Sequence, residues 1–123
     1  MELIYKEEVY QIIGAAMMVH RELGYGFLEP VYQEALAVEF QDKKISFKKE
    51  AKLNIFYKNK ALEKFYVADF ICYDQIIVEI KAVESIIPEF VSQVLNYLNA
   101  AHLRLGLIIN FGESRLNYKR IVL

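Results

Sequence analysis

The sequence predicts an α/β domain: a mixed sheet, made of a three-stranded meander and one strand added by a parallel crossover, flanked by helices. Apolar residues recur at helical spacing in two opening segments and then at a period of two from Ala51, and a strand, a helix and a second strand follow from Ile76. A chain of 123 residues that is 55% apolar can bury one core and is too short for a second, so residues 1–123 form a single domain.

The first helix runs from Tyr5 to Leu23, where Val9, Ile12, Ile13, Ala16, Met17, His20 and Leu23 form one stripe. Gly24-Tyr25-Gly26 ends it. Pro30 suits the first turn of a second helix, which reaches about Gln41 with Val31, Ala35 and Val38 on one side. Glu29 then stands at that helix's N-terminus, where a carboxylate caps backbone N–H groups or meets the helix dipole. From Ala51, Leu53, Ile55 and Tyr57 alternate with Lys52, Asn54, Phe56 and Lys58, and Lys58-Asn59-Lys60 reads as a hairpin turn. The second strand spans Leu62 to Cys72. The third, Ile76 to Ala82, is almost continuously apolar, as expected of a strand covered on both faces. Pro88 opens a helix that ends near Ala101, and Leu105 to Phe111 is a further strand, so a right-handed parallel crossover is expected. Arg120 to Leu123 adds a short edge strand.

Composition excludes several classes. No apolar run approaches the roughly 18 residues needed to span a bilayer, and the acidic start Met1-Glu2-Leu3-Ile4-Tyr5-Lys6-Glu7-Glu8 lacks a signal peptide's basic flank. A cytoplasmic, membrane-free protein is the expectation. Cys72 is alone, which rules out an internal disulfide and a cysteine-rich zinc site and makes it a small core residue. The net charge of −1 argues against a nucleic-acid coat protein, yet the charges are segregated. Residues 1–42 carry two basic and eight acidic side chains, whereas residues 43–64 carry eight lysines against Glu50 and Glu63.

The chemistry concentrates between Val67 and Lys81. Asp69, Glu79 and Lys81 occupy strand positions where β-branched and aromatic residues belong. Burying such charges costs several kcal/mol unless they pair or bind a metal. Glu79 and Lys81 are two apart, so they share a strand face. The turn decides the rest. A two-residue turn at Asp74-Gln75 would pair Asp69 with Ile80 and turn it away from Glu79, whereas a three-residue loop, Tyr73-Asp74-Gln75, or an added bulge pairs Asp69 with Glu79.

Helix, helix, three-stranded meander, helix and strand, with these charges on the central strands, resembles the restriction-endonuclease-like core of the PD-(D/E)XK nuclease superfamily. Gly26-Phe27-Leu28-Glu29-Pro30-Val31-Tyr32 is similar to the Gly-x-x-Glu-x-x-Tyr signature of its GxxExxY family, and the resemblance extends over roughly Ile12 to Val122. Asp69 stands at the family's first acidic position, and Glu79-Ile80-Lys81 resembles its Glu-x-Lys. Gln93-Val94-Leu95-Asn96-Tyr97 resembles the Gln-x-x-x-Tyr helix motif of RecB-type exonucleases. The superfamily's nominal proline is replaced by Ala68.

The resemblance implies hydrolysis of phosphodiester bonds in nucleic acid, DNA before RNA, with magnesium or manganese held by hard oxygen ligands. Asp69, Glu79 and the carbonyl of Ile80 would be those ligands, with Glu29 as a further metal or water contact. Lys81 would hold the attacking water or the phosphate, and Gln93 and Tyr97, four apart on one helical face, would orient Lys81 or a phosphate. Lys48, Lys49 and Lys52 would meet the nucleic-acid backbone. Plainer readings stand beside these. The acidic residues and Lys81 would equally form a structural ion cluster in a catalytically silent nucleic-acid- or protein-binding module, and Tyr97 would be a core aromatic. The lysines would be a solvated hairpin, and His20 and His102 structural. A homodimer whose second copy completes the substrate groove is a third possibility.

Overall fold

The computed structural model describes residues 3–123; of the acidic opening segment, Met1 and Glu2 lie outside the described residues. Helices α1 (Lys6–Leu23) and α2 (Glu29–Asp42) form where the sequence places them, but each is turned slightly from its expected face. On α1 the buried stripe is Val9, Ile12, Ile13, Ala15, Ala16 and Val19, while Met17 is 48% exposed. On α2, Tyr32, Leu36 and Phe40 are buried, and Val31 and Val38, expected to face the core, are exposed. The larger side chains decide the rotation, because burying an aromatic ring removes more apolar area from water than burying a valine. Phe40 packs edge-on against Phe70 at 5.1 Å, and Tyr32 stacks on Phe111 at 4.6 Å.

The sheet has five strands in the order β1 (Phe47–Tyr57), β2 (Lys60–Cys72), β3 (Ile76–Lys81), β4 (Leu105–Asn110) and β5 (Asn117–Val122). Helix α3 (Pro88–Ala101) links β3 to β4, which run parallel; the other neighbours are antiparallel. Two cores result. Helices α1 and α2 pack on one face with Phe70, Cys72, Val78, Ile80, Leu107 and Ile109. Helix α3 covers the other face with Leu53, Ala68, Ile77, Ile108 and Ile121. Gly106 lets α3 approach β4, since a Cβ there would collide with Val94. No helix among the described residues is long and apolar enough to cross a membrane.

Strand limits differ from the sequence expectation by two residues or more at three ends. β1 starts at Phe47, four residues before Ala51, because Phe47 pairs with Cys72 and packs on Phe40 and Phe70, a contact hidden behind Lys48-Lys49-Glu50. β2 starts at Lys60 rather than Leu62, since only Lys58 and Asn59 form the turn, with φ of 49° and 64° as in primed hairpin turns. β5 is a full strand from Asn117, whose polar outer residues masked it. The alternation of Leu53, Ile55 and Tyr57 also fails at its end, for a register shift between Asn54 and Phe56 leaves Tyr57 62% exposed.

One irregularity sets up the site. Tyr66, Ala68, Phe70 and Cys72 are successive even positions of β2, yet Tyr66 and Ala68 pack with α3 whereas Phe70 and Cys72 pack with α1 and α2. β1 does the same, with Phe47 on one face and Leu53 on the other. Both strands change face at one rung: Lys49 pairs with Phe70 and Ala51 with Ala68, and Glu50 and Asp69 between them are unpaired. Glu50 carries the change with φ of 52°, a left-handed conformation that costs an L-residue roughly 1 kcal/mol. Glu50→Gly is therefore expected to stabilise the protein by a few tenths to about 1 kcal/mol, read as a rise in thermal midpoint. A lower midpoint would show that the glutamate side chain outweighs the backbone strain.

Candidate active site

The connection between β2 and β3 is the three-residue loop Tyr73-Asp74-Gln75. Tyr73 and Asp74 have φ of 56° and 57°, and the Gln75 N–H donates to the Cys72 carbonyl at 3.0 Å. Cys72 pairs with Ile76, Ile71 with Ile77 and Phe70 with Val78, so the next step brings Asp69 opposite Glu79. There the side chains replace the backbone ladder. The Asp69 N–H donates to Glu79 Oε2 at 2.7 Å, and the Ile80 N–H donates to Asp69 Oδ2 at 2.7 Å. Each carboxylate is thus fixed by the other strand's backbone through one oxygen.

Lys81 leaves β3 on the same face as Glu79. Its Nζ donates to Gln93 Oε1 at 3.3 Å and lies 4.3 Å from the centre of the Phe90 ring, both on α3. One helical turn beyond Gln93, Tyr97 is 8% exposed, and its ring packs against Tyr66 at 4.9 Å. Burial among the α3 core residues explains Tyr97 as a core aromatic, yet the same ring stands in the field of the acidic pair: burial raises its phenol pKa first, then the charges of Glu79 and Asp69.

The electrostatics of Glu79 are the most perturbed in the site. It is 5% exposed, and burial first, then the negative charge of Asp69, pushes its carboxyl up to about 8. The Asp69 N–H and the Lys81 ammonium pull the other way without restoring an ordinary value. Two carboxylates side by side, one held protonated by burial and by the charge of its neighbour, are hard-oxygen groups of the kind that could hold a divalent cation. Magnesium is commonly bound by one or two carboxylates, with waters and substrate oxygens completing its shell.

Other residues singled out in the sequence are dispersed. Glu29 is exposed in the first turn of α2, where Leu28 is the N-cap and no side chain caps the helix. Among the described residues no three Asp, Glu, His or Cys side chains converge as a metal cluster, so Glu29 is not gathered with Asp69 and Glu79. The Ile80 side chain is buried on the opposite face, among α1 and α2. Lys48, Lys49 and Lys52 are exposed on edge strand β1; Lys48 pairs with Asp74 at 3.3 Å, and Lys52 lies over Phe65. His20 Nε2 is 2.9 Å from the Glu113 carbonyl, and His102 caps α3 with φ of 56°. Cys72 is buried, its thiol pushed up to about 12 by burial.

Two residues that hold the site together, Gln33 and Asn110, were missed from sequence, and two of the Gly-x-x-Glu-x-x-Tyr motif, Tyr32 and Gly26, take structural roles in the loop ahead of α2. Gln33, one turn after Glu29 on the same face of α2, donates to the Asp69 carbonyl at 3.4 Å. Tyr32 ties the loop ahead of α2: its hydroxyl donates to the Gly24 carbonyl at 2.7 Å and accepts the Phe27 N–H at 3.2 Å. Gly26, with φ of 119°, gives that loop a turn other residues resist. Asn110, opposite Lys81 and fully buried, accepts from Val83 and Gly112 N–H and donates to the Val83 carbonyl and Glu113. It anchors the chain as it leaves β3. A lone asparagine ending the apolar run Leu105–Phe111 was the available signal.

This mixed five-stranded sheet, flanked by three helices and carrying an acidic pair and a lysine on its central strands, is a restriction-endonuclease-like α/β domain. The chain belongs to the PD-(D/E)XK nuclease superfamily, whose family model matches residues 6–121. Searches of curated proteins and of solved structures gave no match.

Proposed function

We propose that this protein is a metal-dependent nuclease of the superfamily's GxxExxY group, hydrolysing phosphodiester bonds in nucleic acid, DNA before RNA. The observation that carries the proposal is the pair of 2.7 Å bonds, Asp69 N–H to Glu79 and Ile80 N–H to Asp69, that lock the two carboxylates between β2 and β3, with Lys81 on the Glu79 face. Magnesium or manganese would supply Lewis acidity and a water of lowered pKa. Asp69 and Glu79 would hold it, with the Ile80 carbonyl as a third donor and Glu29, on the Gln33 face of α2, as a water contact. Lys81 would stabilise the charge that builds on the phosphate, and Gln93 fixes the direction of its ammonium. The setting proposed is the cytoplasm, with a homodimer as the form in which a second copy would complete the substrate groove.

One observation favours a second reading, a catalytically silent nucleic-acid- or protein-binding module: no third acidic side chain joins the pair among the described residues. Incubating the pure protein with manganese and single-stranded, duplex and branched DNA or RNA decides between them on a gel. Cleavage of any one supports the nuclease. Binding without cleavage, and without a manganese-dependent rise in melting temperature, would establish the silent module.

Lys48, Lys49 and Lys52 would track the phosphate backbone. Replacing all three with alanine is expected to weaken binding of every sequence alike and to reduce the slope of log K against log salt by about 2 to 3. An unchanged slope would return them to a solvated edge that discourages strand pairing.

A further inference from the structure

We infer that the cleft between β2 and α3, walled by Tyr66 and Tyr97 and edged by Ser92, Gln93 and Asn96, takes one unpaired nucleobase, which makes single strands the preferred substrate. The inference deepens the nuclease reading and rests on it for the position of the phosphate. The cleft has a volume of about 400 Å³ and adjoins the site directly, because Gln93 lines it and also accepts the hydrogen bond of Lys81. A phosphate at Lys81 therefore puts its neighbouring base at the mouth of the cleft.

The walls suit a base. The Tyr66 ring is half-buried and packs against Tyr97 at 4.9 Å with a tilt of 32°, so the two rings line the cleft as one braced aromatic surface. Stacking on such a ring tolerates any base and is worth about 1 to 3 kcal/mol. Along the opposite edge, Ser92 and Asn96 are exposed one turn apart on α3 and offer a hydroxyl and an amide, together both donors and acceptors for a base edge. Glu89 stands at the same edge and repels phosphate, so the backbone is turned toward Lys81 and the base inward. The cleft is open to solvent, but a paired base cannot lay its face on the Tyr66 ring without leaving its stack, which costs a few kcal/mol in a duplex and little in a single strand.

The test measures binding of fluorescent oligothymidylate, the same strand with abasic sites, and a duplex of equal length to the full chain in EDTA. Wild type is expected to bind the single strand about tenfold tighter than the duplex. Tyr66→Ala should lose about tenfold on the single strand only, and Tyr66→Phe, which keeps the ring, should not. The abasic strand should bind wild type as weakly as the intact strand binds Tyr66→Ala. Asn96→Leu, at an exposed position, should also weaken single-strand binding and serves if Tyr66→Ala fails to fold. Equal affinity for strand and duplex, or equal losses on both in a folded variant, overturns the inference. Cleavage with manganese that is untouched by Tyr66→Ala on single strands overturns the cleft and leaves the nuclease standing. Tyr66-dependent binding in a protein that cuts nothing retains the cleft and removes the nuclease.

Discussion

Lys81→Ala is expected to abolish nucleic-acid cleavage while leaving manganese binding in place, and Asp69→Asn to lose both. The difference follows from what each side chain offers. Asp69 presents a carboxylate whose Oδ2 already accepts the Ile80 N–H, so asparagine with its carbonyl oxygen in that place keeps the backbone bond while losing the charge and replacing the other oxygen with an NH2 that cannot ligate a cation. Lys81 has no lone pair for a cation when protonated; its ammonium is directed by Gln93 and the face of Phe90 toward the same side of the strand. Loss of a charge that acts mainly in the transition state lowers turnover by orders of magnitude with little change in ground-state affinity. Manganese should therefore raise the melting temperature of wild type and of Lys81→Ala to similar degrees, and leave Asp69→Asn unchanged. Gln93→Ala should fall between, with reduced turnover and retained metal binding. Cleavage by Lys81→Ala at the wild-type rate would remove the role given to the lysine, and a manganese response in Asp69→Asn would remove the carboxylate from the metal site.

Much of this site was legible because its signals are local. Asp69, Glu79 and Lys81 interrupt apolar strands, and of the registers that the spacing across Tyr73-Asp74-Gln75 allowed, the one that forms is the three-residue loop, which brings the acids together. The strand order also followed from period and connection, since β3 is buried along nearly its whole length and α3 returns the chain to a parallel neighbour. What escaped depends on tertiary context. Helix faces were misjudged by about one position because Tyr32 and Phe40 gain more from burial than Val31 and Val38, a comparison that needs the partners Phe111 and Phe70. The face change at Glu50 had no glycine to mark it. A glutamate at φ of 52° is held by the strands on either side rather than by its own preference, and the strain lies on the rung shared with Asp69. Gln33 was invisible for a different reason: an amide on a polar helix face becomes a site residue only when the helix is docked over the Asp69 carbonyl.

Glu79→Gln is expected to make the metal-free protein more stable at pH 8 and to flatten its stability between pH 5 and 8. The wild-type carboxyl is raised from an ordinary value of 4.5 to about 8, by burial first and by Asp69 second. Between those values the folded protein keeps a proton that the unfolded chain releases, so stability falls as pH rises through this window and levels off above it. The sign is opposite to that of a salt-bridged carboxylate, whose stabilising effect grows with pH. Glutamine stays neutral throughout, its Oε1 can still accept the Asp69 N–H, and its amide can donate to the Asp69 carboxylate. With each pK unit worth about 1.4 kcal/mol, the variant should exceed wild type at pH 8 by on the order of a few kcal/mol, and by little at pH 4.5. Chemical denaturation in EDTA across this range measures the difference, and comparing the two proteins removes the contribution of groups they share. A wild type whose stability relative to Glu79→Gln holds level or rises from pH 5 to 8 would show that Glu79 is ionised without a metal, and the electrostatic demand for a cation at this site would disappear with it.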